Sequence, residues 1–586
     1  MFKILKRLTK KEIMYAIICV VLVASHVWLE LKVPDYMSEI TRLVQTQGSQ
    51  MKTIITQGVF MLICALASLT CNIVSNYFSS KVSSSFSATL RANIFEKVQE
   101  MGTTEIKKFS TSSLITRTTN DVMQIESLVS MGLHAMIKAP VMSILAILKI
   151  LNKGFEWSIL TACCVSILMF VVACLIIIVV PRFKIVQKLI DKINGVTREN
   201  VSGIRVIRAF NAEKYQTDKF QEINDELTKT QLFNQRCFAI MNPMMNLVMH
   251  AQTLGIYIIG AILIQKAGLT DKITLFSNMV VFSSYGMHVI MSFLVLAMIF
   301  MMIPRAAISA NRINEVLDED VAVKDGKHNS ETKETGVVEF KNVSFKYPDA
   351  DEYVLENISF KVNKGETIAF IGSTGSGKST LINLIPRFYD ATEGEVLVDN
   401  INVKDYKIES LNNKLGYIPQ KAVMFTGTVE ENVAYGKNGK GKITLEKVKE
   451  AVKVAQGKDF VEKLENNYKG HIARGGTNIS GGQKQRLAIA RAIAREPEIY
   501  IFDDSFSALD YKTDLQLRKE LKKYTKDATC VIVAQRIGTI INADQIVVLN
   551  EGKCVGIGTH KELLKNCEVY KEIALSQLSK EELDNA

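Results

Sequence analysis

The stretch TIAFIGSTGSGKSTLINLI, residues 367–385, decides the fold of the C-terminal half of the chain. A short apolar strand pattern runs into a loop of glycines and serines, and an apolar helix pattern follows directly. The loop fits the pattern G-x-x-x-x-G-K-[ST]. In that pattern backbone N–H groups wrap the phosphates, the lysine reaches the β and γ phosphates, and the final hydroxyl binds Mg²⁺. The predicted phosphate-binding residues are Gly372, Ser373, Gly375, Gly377, Lys378, Ser379 and Thr380.

Two more stretches carry polar groups suited to the same chemistry. The run EIYIFDDS, residues 498–505, ends a buried strand pattern in two carboxylates, and we expect Asp503 to hold Mg²⁺ through water. The alternative for an acidic pair at this point is a helix N-cap. The stretch NISGGQKQRLAIARA, residues 478–492, opens a helix with a second anion-binding pattern. Its members are Ser480, Gly481, Gly482 and Gln483.

The segments around these motifs alternate between strand and helix patterns. Short apolar strands recur as VVEFKNVSF, LGYIP, CVIVA and QIVVL, and helical stretches separate several of them. This alternation is typical of an α/β domain with a largely parallel sheet. Ahead of it lies a polar stretch with no apolar period, residues 318–336, which we interpret as a linker.

The first 310 residues have a different composition, with six long apolar runs. They lie at about 13–33, 53–78, 131–151, 157–181, 243–265 and 275–303. Most reach the ~20 residues that a helix needs to cross a hydrocarbon core of ~30 Å. A large buried helical core is the alternative, but core helices rarely stay apolar over such lengths. The chain is 48% hydrophobic with a mean hydropathy of +0.13, which disfavours a purely soluble enzyme.

Lysines and arginines are concentrated at the N-terminus and in two long connections, residues 79–130 and 182–242. The connections 34–52, 152–156 and 266–274 are short and carry few cations. Because cytoplasmic loops carry an excess of Lys and Arg, we place the N-terminus, the long connections and everything after the last span in the cytoplasm. The net charge of +11 is then explained by the Lys and Arg residues of the cytoplasmic segments, and we expect no nucleic-acid partner. The long connections are predicted to be helical extensions of the spans, because structureless loops of ~60 residues are disfavoured.

Charged and polar residues inside the apolar runs are candidates for function, since they are costly in a membrane. Those near the end of a run, such as Glu30 and Lys32, could instead extend to the interface. The candidates are Glu30, Lys32, Lys138, Asn242, Asn246, His250, Gln252, Asn278 and His288.

The motif order in the C-terminal half resembles the nucleotide-binding domain of ABC transporters. The order is completed by Gln420 in YIPQ, by SALD at residues 507–510 and by VIVAQR at residues 531–536. Six spans ahead of one such domain resemble a half-transporter of the ABC exporter type, which has the type IV membrane fold. Local matches in the membrane half are TNDV at 119–122 and GIRVIRAFNAE at 203–213.

The resemblance implies ATP and Mg²⁺ as ligands and adds site residues. Tyr347 matches the aromatic residue that stacks on adenine, and Gln420 matches the Q-loop residue that touches Mg²⁺. Residues around 111–117 and 203–215 resemble the two coupling helices that dock on the nucleotide-binding domains. In this family two such domains pair head to tail. The signature at residues 480–483 would therefore act on ATP held by a partner.

Two residues depart from the family pattern. The residue after Asp503 is normally a Glu that serves as general base, and here it is Asp504, one methylene shorter. Gln535 stands in place of the switch histidine and cannot carry a positive charge. With the binding motifs intact, the pattern resembles the subunit of heterodimeric exporters whose own site binds ATP but hydrolyses it poorly. The alternatives are a homodimeric, fully active exporter or lipid flippase, and a channel or regulator gated by ATP.

The sequence therefore predicts an all-α six-span transmembrane domain followed by an α/β P-loop nucleotide-binding domain. The predicted boundaries are 1–317 for the transmembrane domain, 318–336 for the linker, 337–575 for the nucleotide-binding domain and 576–586 for a polar tail. The expected location is the cell membrane, with the nucleotide-binding domain in the cytoplasm. The predicted function is ATP-driven export of amphiphilic small molecules, either drugs or lipids, together with a second half-transporter. Membrane lipid is the other expected contact.

Overall fold

The computed structural model describes residues 2–46, 48–151, 154–329 and 335–577. It divides into two compact units: Met1–Gln99 with Thr111–Glu319, and Glu100–Ser110 with Asp320–Ala586. Parts of four predicted segments lie outside the described residues: 47 and 152–153 of two short connections, 330–334 of the linker and 578–586 of the tail. The exact domain boundaries stay a prediction.

The N-terminal unit consists of helices. Within the described ranges, six helical segments are long and apolar enough to cross a membrane, which confirms the prediction of six spans. The helices up to residue 317 are α1 (Phe2–Leu5), α2 (Lys10–Gln45), α3 (Met51–Glu100), α4 (Thr103–Phe109), α5 (Thr111–Thr116), α6 (Val122–Leu151), α7 (Phe155–Ala209), α8 (Glu213–Lys266) and α9 (Leu269–Leu317). A π-helical turn, Arg117–Asp121, joins α5 to α6.

Four of these helices are much longer than a membrane is thick. Helices α3, α7, α8 and α9 contain 50, 55, 54 and 49 residues. At 1.5 Å per residue each is about 74–83 Å long, against the ~30 Å of a hydrocarbon core. The spans therefore continue well beyond the membrane, as the helical character of the long connections predicts.

The two segments that resemble coupling helices have different structures. The short helix that packs within the C-terminal unit is α4, whereas residues 111–117 open the helical run into α6. The expected position of the first coupling helix is therefore wrong. The boundary is set locally, because Glu105 caps the start of α4 and Ser110, with φ +58°, breaks the helix before α5. The second segment, 203–215, is the corner between α7 and α8.

The C-terminal unit is built on a ten-stranded sheet in the order β5-β4-β1-β2-β12-β11-β3-β10-β9-β6. Its strands are β1 (Val338–Phe345), β2 (Leu355–Val362), β3 (Thr367–Gly372), β4 (Glu393–Val398), β5 (Ile401–Asn402), β6 (Leu415–Ile418), β9 (Ile499–Asp503), β10 (Thr529–Val533), β11 (Gln545–Asn550) and β12 (Lys553–Gly558). A separate pair is formed by β7 (Gly427–Thr428) and β8 (His471–Ile472).

Besides α4, the described part of this unit contains ten α-helices. They are α10 (Lys378–Asn383), α11 (Ile408–Lys414), α12 (Val429–Val433), α13 (Leu445–Val454), α14 (Lys458–Val461), α15 (Gly481–Ala494), α16 (Tyr511–Tyr524), α17 (Ile537–Ile540), α18 (His560–Asn566) and α19 (Glu568–Gln577). One buried core packs α10 against the sheet, and a second packs α12, α13 and α15 together.

Only part of the large sheet is parallel. Strands β11, β3, β10, β9 and β6 pair in parallel, whereas β1, β2, β4 and β5 pair antiparallel. The expected largely parallel sheet is thus found in the half that carries the P-loop. In the antiparallel part, β1 is joined to β2 and β4 to β5 by short connections, which leave no room for a crossover helix. Because parallel strands end at a common edge, the loops after β3, β6, β9 and β10 emerge together.

Candidate nucleotide-binding site

Four loops meet at the carboxyl edge of the parallel strands. Strand β3 leads into the P-loop, β6 into Gln420, β9 into Asp504 and β10 into Gln535. The register places Asp503 on β9 opposite Val533 on β10. Residues more than a hundred positions apart along the chain are thereby brought to one edge of the sheet.

The P-loop requires glycine at two crowded positions. A Cβ atom on Gly372 would lie 2.1 Å from the carbonyl oxygen of Leu549 on the neighbouring strand. Gly377 has φ +93°, and a Cβ atom there would lie 2.7 Å from Cδ2 of Leu355. The loop can therefore curl tightly and turn its backbone N–H groups inward, as a phosphate cradle requires.

Lys378 is folded against the loop that it follows. Its Nζ donates hydrogen bonds to the carbonyl oxygens of Gly372 at 2.9 Å and Ser373 at 2.7 Å, and to Oγ of Ser376 at 3.2 Å. Burial lowers the pKa of Lys378, and the carboxylates of Asp504 and Asp503 oppose that shift. The ammonium group thus lies inside the loop, where it can exchange carbonyl oxygens for phosphate oxygens.

Hydroxyl and carboxylate oxygens next to the P-loop suit a magnesium ion. Ser379 Oγ donates a 2.8 Å hydrogen bond to Oδ1 of Asp503, and Gln420 lies on the adjacent loop. Burial raises the pKa of Asp503, and the hydrogen bond from Ser379 opposes the rise. Oxygen ligands of this kind are the ones that Mg²⁺ prefers. The helix-cap alternative does not apply to Asp503, because its carboxylate accepts the hydrogen bond from the Ser379 hydroxyl.

The two departures from the family pattern meet at one oxygen atom. Gln535 Nε2 donates a 2.9 Å hydrogen bond to Oδ2 of Asp504, and Gln420 Nε2 lies 3.4 Å from the same oxygen. Burial raises the pKa of Asp504, against the hydrogen bond from Gln420 and the charge of Lys378. Asp504 itself has φ +46°, and its backbone N–H donates a hydrogen bond to the carbonyl oxygen of Val533. Its carboxylate is therefore held between two amides.

Tyr347 lies beside the first turn of α10. Its hydroxyl is 2.9 Å from Oγ1 of Thr380, and its ring packs edge-on against Phe345 and Tyr389. Lys107 of α4 places its Nζ 5.4 Å from the centre of the Tyr347 ring. An aromatic face next to the P-loop fits the role of adenine platform.

The signature residues form a regular helix start. Ser480 caps α15, with its Oγ accepting from Gln483 N at 3.3 Å and its N–H donating to Gln483 Oε1 at 2.8 Å. Gly481 has open space at its Cβ position. In the described part of the chain no hydrogen bond joins residues 480–483 to the P-loop of the same chain. Residues 480–483 therefore make their hydrogen bonds within the start of α15 and not to the P-loop of the same chain.

Two contacts at the site were not predicted from the sequence. Lys107 reaches Tyr347, and Gln485 of α15 donates a 3.2 Å hydrogen bond to the carbonyl oxygen of Pro419, next to Gln420. An isolated lysine in a charged connection carries no signal, whereas the glutamine two residues after Gln483 was visible but unassigned. Gln485 ties the signature helix directly to the loop that carries Gln420.

Comparison with known proteins agrees with this architecture. The family described as ABC transporter matches residues 355–507, and the ABC transporter transmembrane region matches residues 16–293. An uncharacterized ABC transporter ATP-binding protein of Mycobacterium tuberculosis is 38% identical over 529 residues, covering 90% of this chain and 89% of that protein. The chain belongs to the ABC transporter family. This ABC transporter is an exporter with fused transmembrane and nucleotide-binding domains, so it is an ATPase-coupled, multi-pass membrane protein with a cytoplasmic nucleotide-binding domain.

Other relatives of this ABC transporter extend over most of its length. An ATP-dependent lipid A-core flippase of Haemophilus influenzae is 31% identical over 527 residues, which is 87% of this chain and 85% of the flippase. The structure of a bacterial Atm1-family ABC exporter with ATP bound superimposes with a TM-score of 0.81. That match covers 97% of this chain and 100% of the exporter at 22% identity, and it shows the shared fold.

Proposed function

We propose that this ABC transporter is one half of a heterodimeric exporter of amphiphilic small molecules, either drugs or lipids. Its own nucleotide site binds ATP with Mg²⁺ and hydrolyses it poorly, and its signature completes a competent site on the second half-transporter. The single observation that carries the proposal is the hydrogen bond from Gln535 Nε2 to Oδ2 of Asp504.

The carboxylate of Asp504 is poorly suited to act as a general base. A base must lie within hydrogen-bond reach of the attacking water, and it supplies typically ~10²–10⁴-fold in rate. Asp is one methylene shorter than Glu, and a misplacement of ~1 Å can cost ~10²-fold. Here Oδ2 also receives an amide hydrogen from Gln535. Both the reach and one acceptor site of the carboxylate are reduced.

The binding groups, by contrast, are all in place. Lys378 lies within the P-loop, Ser379 contacts Asp503, and Tyr347 lies beside Thr380. We propose that Ser379, Asp503 and Gln420 hold Mg²⁺, which supplies positive charge to the β and γ phosphate oxygens. A site that binds ATP but seldom hydrolyses it must keep its binding groups and lack an effective base, and this combination is the one we propose here.

An amphiphilic cargo is supported by the membrane half of the chain. Six described helical segments are long and apolar enough to cross a membrane, and the Haemophilus influenzae relative is by its name an ATP-dependent lipid A-core flippase. That likeness also favours the second candidate, a homodimeric and fully active exporter or flippase.

One gain-of-function experiment separates the two candidates. The chain purified alone should have low steady-state ATPase activity, and the Asp504→Glu/Gln535→His double variant should raise turnover at least about 10-fold by restoring the base. Asp504→Asn/Gln535→His is the matched control, with a histidine but no base. If the unmodified chain alone turns over rapidly and Asp504→Asn abolishes that activity, the homodimeric reading is correct.

A further inference from the structure

Five ionisable side chains gather midway along the spanning helices. They come from three helices and are His26, Glu30, His134, Lys138 and His288. Glu30 on α2 and Lys138 on α6 form an ion pair with 3.1 Å between Oε2 and Nζ. At ~1.5 Å per residue both lie about 20–30 Å from either end of their helices. We call these five residues the midspan cluster.

His26 lies at the centre of the midspan cluster. Its Nε2 is 3.3 Å from Oε2 of Glu30 and 3.2 Å from Nζ of Lys138. Its Nδ1 lies 2.8 Å from Oγ of Ser68 on α3. The ring of His134 is 6.4 Å away, centre to centre. His26 therefore contacts both members of the ion pair.

The cluster has more basic groups than acidic ones. One carboxylate, Glu30, faces one ammonium group and three imidazoles, and His288 of α9 lies within electrostatic range of Glu30 and Lys138. Oε2 of Glu30 is engaged by Lys138 Nζ and His26 Nε2, whereas the buried Nδ1 of His134 has no hydrogen-bond partner among the described residues. Buried polar atoms normally have one, so this nitrogen points to a polar ligand.

The midspan cluster is only partly covered by its own chain. The side chains of Glu30 and Lys138 are 28% and 31% exposed. Charged side chains of spanning helices normally face the bundle interior or a water-filled path, because hydrocarbon solvates them poorly. The exposed side of the cluster is therefore open to a polar ligand.

We infer that the midspan cluster binds the anionic headgroup of an amphiphile, with Lys138 and the histidines as its donors. Glu30 is the resident counter-ion, which holds Lys138 in place and competes with the ligand for its charge. The inference deepens the proposed function, because it rests on an amphiphilic cargo and names the charge of that cargo. The chemistry is shared by sulfonate, carboxylate and phosphate-ester headgroups.

Opposite effects of two charge-removing variants provide the test. The probe is a fluorescent long-chain alkyl sulfonate, which binds to the full-length chain in nonionic detergent without ATP. Lys138→Gln should weaken binding about 10-fold, because a charge-assisted contact is lost. Glu30→Gln should tighten binding several-fold, because it removes the carboxylate that competes with the sulfonate for Lys138. A neutral alkyl glucoside of equal chain length, which has no anionic group, should change less than about twofold in both variants.

A merely structural ion pair gives a different pattern. If Glu30 and Lys138 only join two helices, both variants weaken binding alike, and the inference is overturned. Equal affinity of the unmodified chain for the two probes also overturns it. Lys149→Gln is the matched control. Lys149 lies farther along α6 and pairs with Asp35 of α2, so this variant should leave sulfonate affinity unchanged. The double variant Glu30→Gln/Lys138→Gln checks that the bundle folds without either charge.

Lipid competition extends the same measurement. Displacement of the sulfonate by phosphatidylglycerol assigns the site to lipid headgroups, and failure to displace it assigns the site to non-lipid amphiphiles. Because no ATP or partner is used, failure of the heterodimer proposal leaves this result intact.

Discussion

Gln535 Nε2 and Asp504 Oδ2 lie 2.9 Å apart, so the two residues that depart from the family pattern form a single hydrogen-bonded pair. A coupled pair is harder to interpret as two unrelated neutral changes. The amide of Gln535 cannot release its proton or carry charge, and it occupies an acceptor site on the carboxylate. Replacing Gln535 alone would leave Asp504 Oδ2 with the longer contact to Gln420 only.

In the co-purified complex, signature variants should affect ATP turnover far more than a variant at Asp504. Ser480→Ala and Gly482→Asp should each reduce turnover by about 10²-fold, because they remove or block contacts at the competent site. Asp504→Ala should reduce it less than about threefold, because its carboxylate is a poor base. Steady-state ATPase rates measure all three.

Thr559→Ala is the control for the signature variants, since it removes the same kind of helix cap at α18, away from the nucleotide site. It should leave turnover unchanged. Abolition of turnover by Asp504→Ala would show that Asp504 is a working base, and the homodimeric exporter would then be the correct reading.

Lys378→Ala should weaken ATP binding at this chain's site. The variant removes the only ammonium group that lies within the P-loop among the described residues, and charge-assisted contacts to phosphate contribute about 1.5–3 kcal/mol each. Photo-cross-linking of labelled nucleotide to the purified chain measures the effect. Lys361→Ala, at an exposed lysine on β2, is the control. Undiminished cross-linking in Lys378→Ala would rule out the P-loop assignment.

The Mg²⁺ requirement for nucleotide binding should rise as the pH falls. Burial raises the pKa of Asp503, so this carboxyl binds a proton at a higher pH than an exposed aspartate of pKa about 3.9. A proton there competes with Mg²⁺, so the metal affinity present at neutral pH is lost on acidification. The Mg²⁺ concentration that gives half-maximal nucleotide binding, titrated at several pH values, tests this. Asp503→Asn should remove the pH dependence, and an unchanged dependence would exclude Asp503 as a ligand.

Cysteine accessibility should confirm which helix ends face the cytoplasm. Phe155→Cys, at the start of α7, should react with a membrane-impermeant thiol reagent added outside intact cells. Phe210→Cys, at the corner between α7 and α8, should react only after the membrane is permeabilised, because the Lys-rich and Arg-rich connections are cytoplasmic. Both side chains are well exposed, so accessibility reports sidedness. The reverse pattern would invert the topology.

Features that depend on neighbouring residues were determined by the sequence alone. The P-loop is readable because its strand, glycines, lysine and helix follow one another from residue 367 to 385, and the spans are readable because their apolar runs are continuous. The identities of Asp504 and Gln535 were also visible, and with them the hypothesis of a weakened base. The sequence does not show where a single residue breaks a helix, as Ser110 does, and the predicted position of the first coupling helix was wrong for that reason.

Contacts between distant residues were decided only by the tertiary structure. The hydrogen bond between Asp504 and Gln535 exists because β9 and β10 pair in parallel with Asp503 opposite Val533. The midspan cluster exists because α2 and α6 pack side by side, which brings His26 and Glu30 to Lys138 from more than a hundred residues away. Of its five members, the sequence singled out only Glu30, Lys138 and His288. Hydrophobic patterns specify which face of a helix is buried, but not which helix covers it, because apolar burial is non-directional.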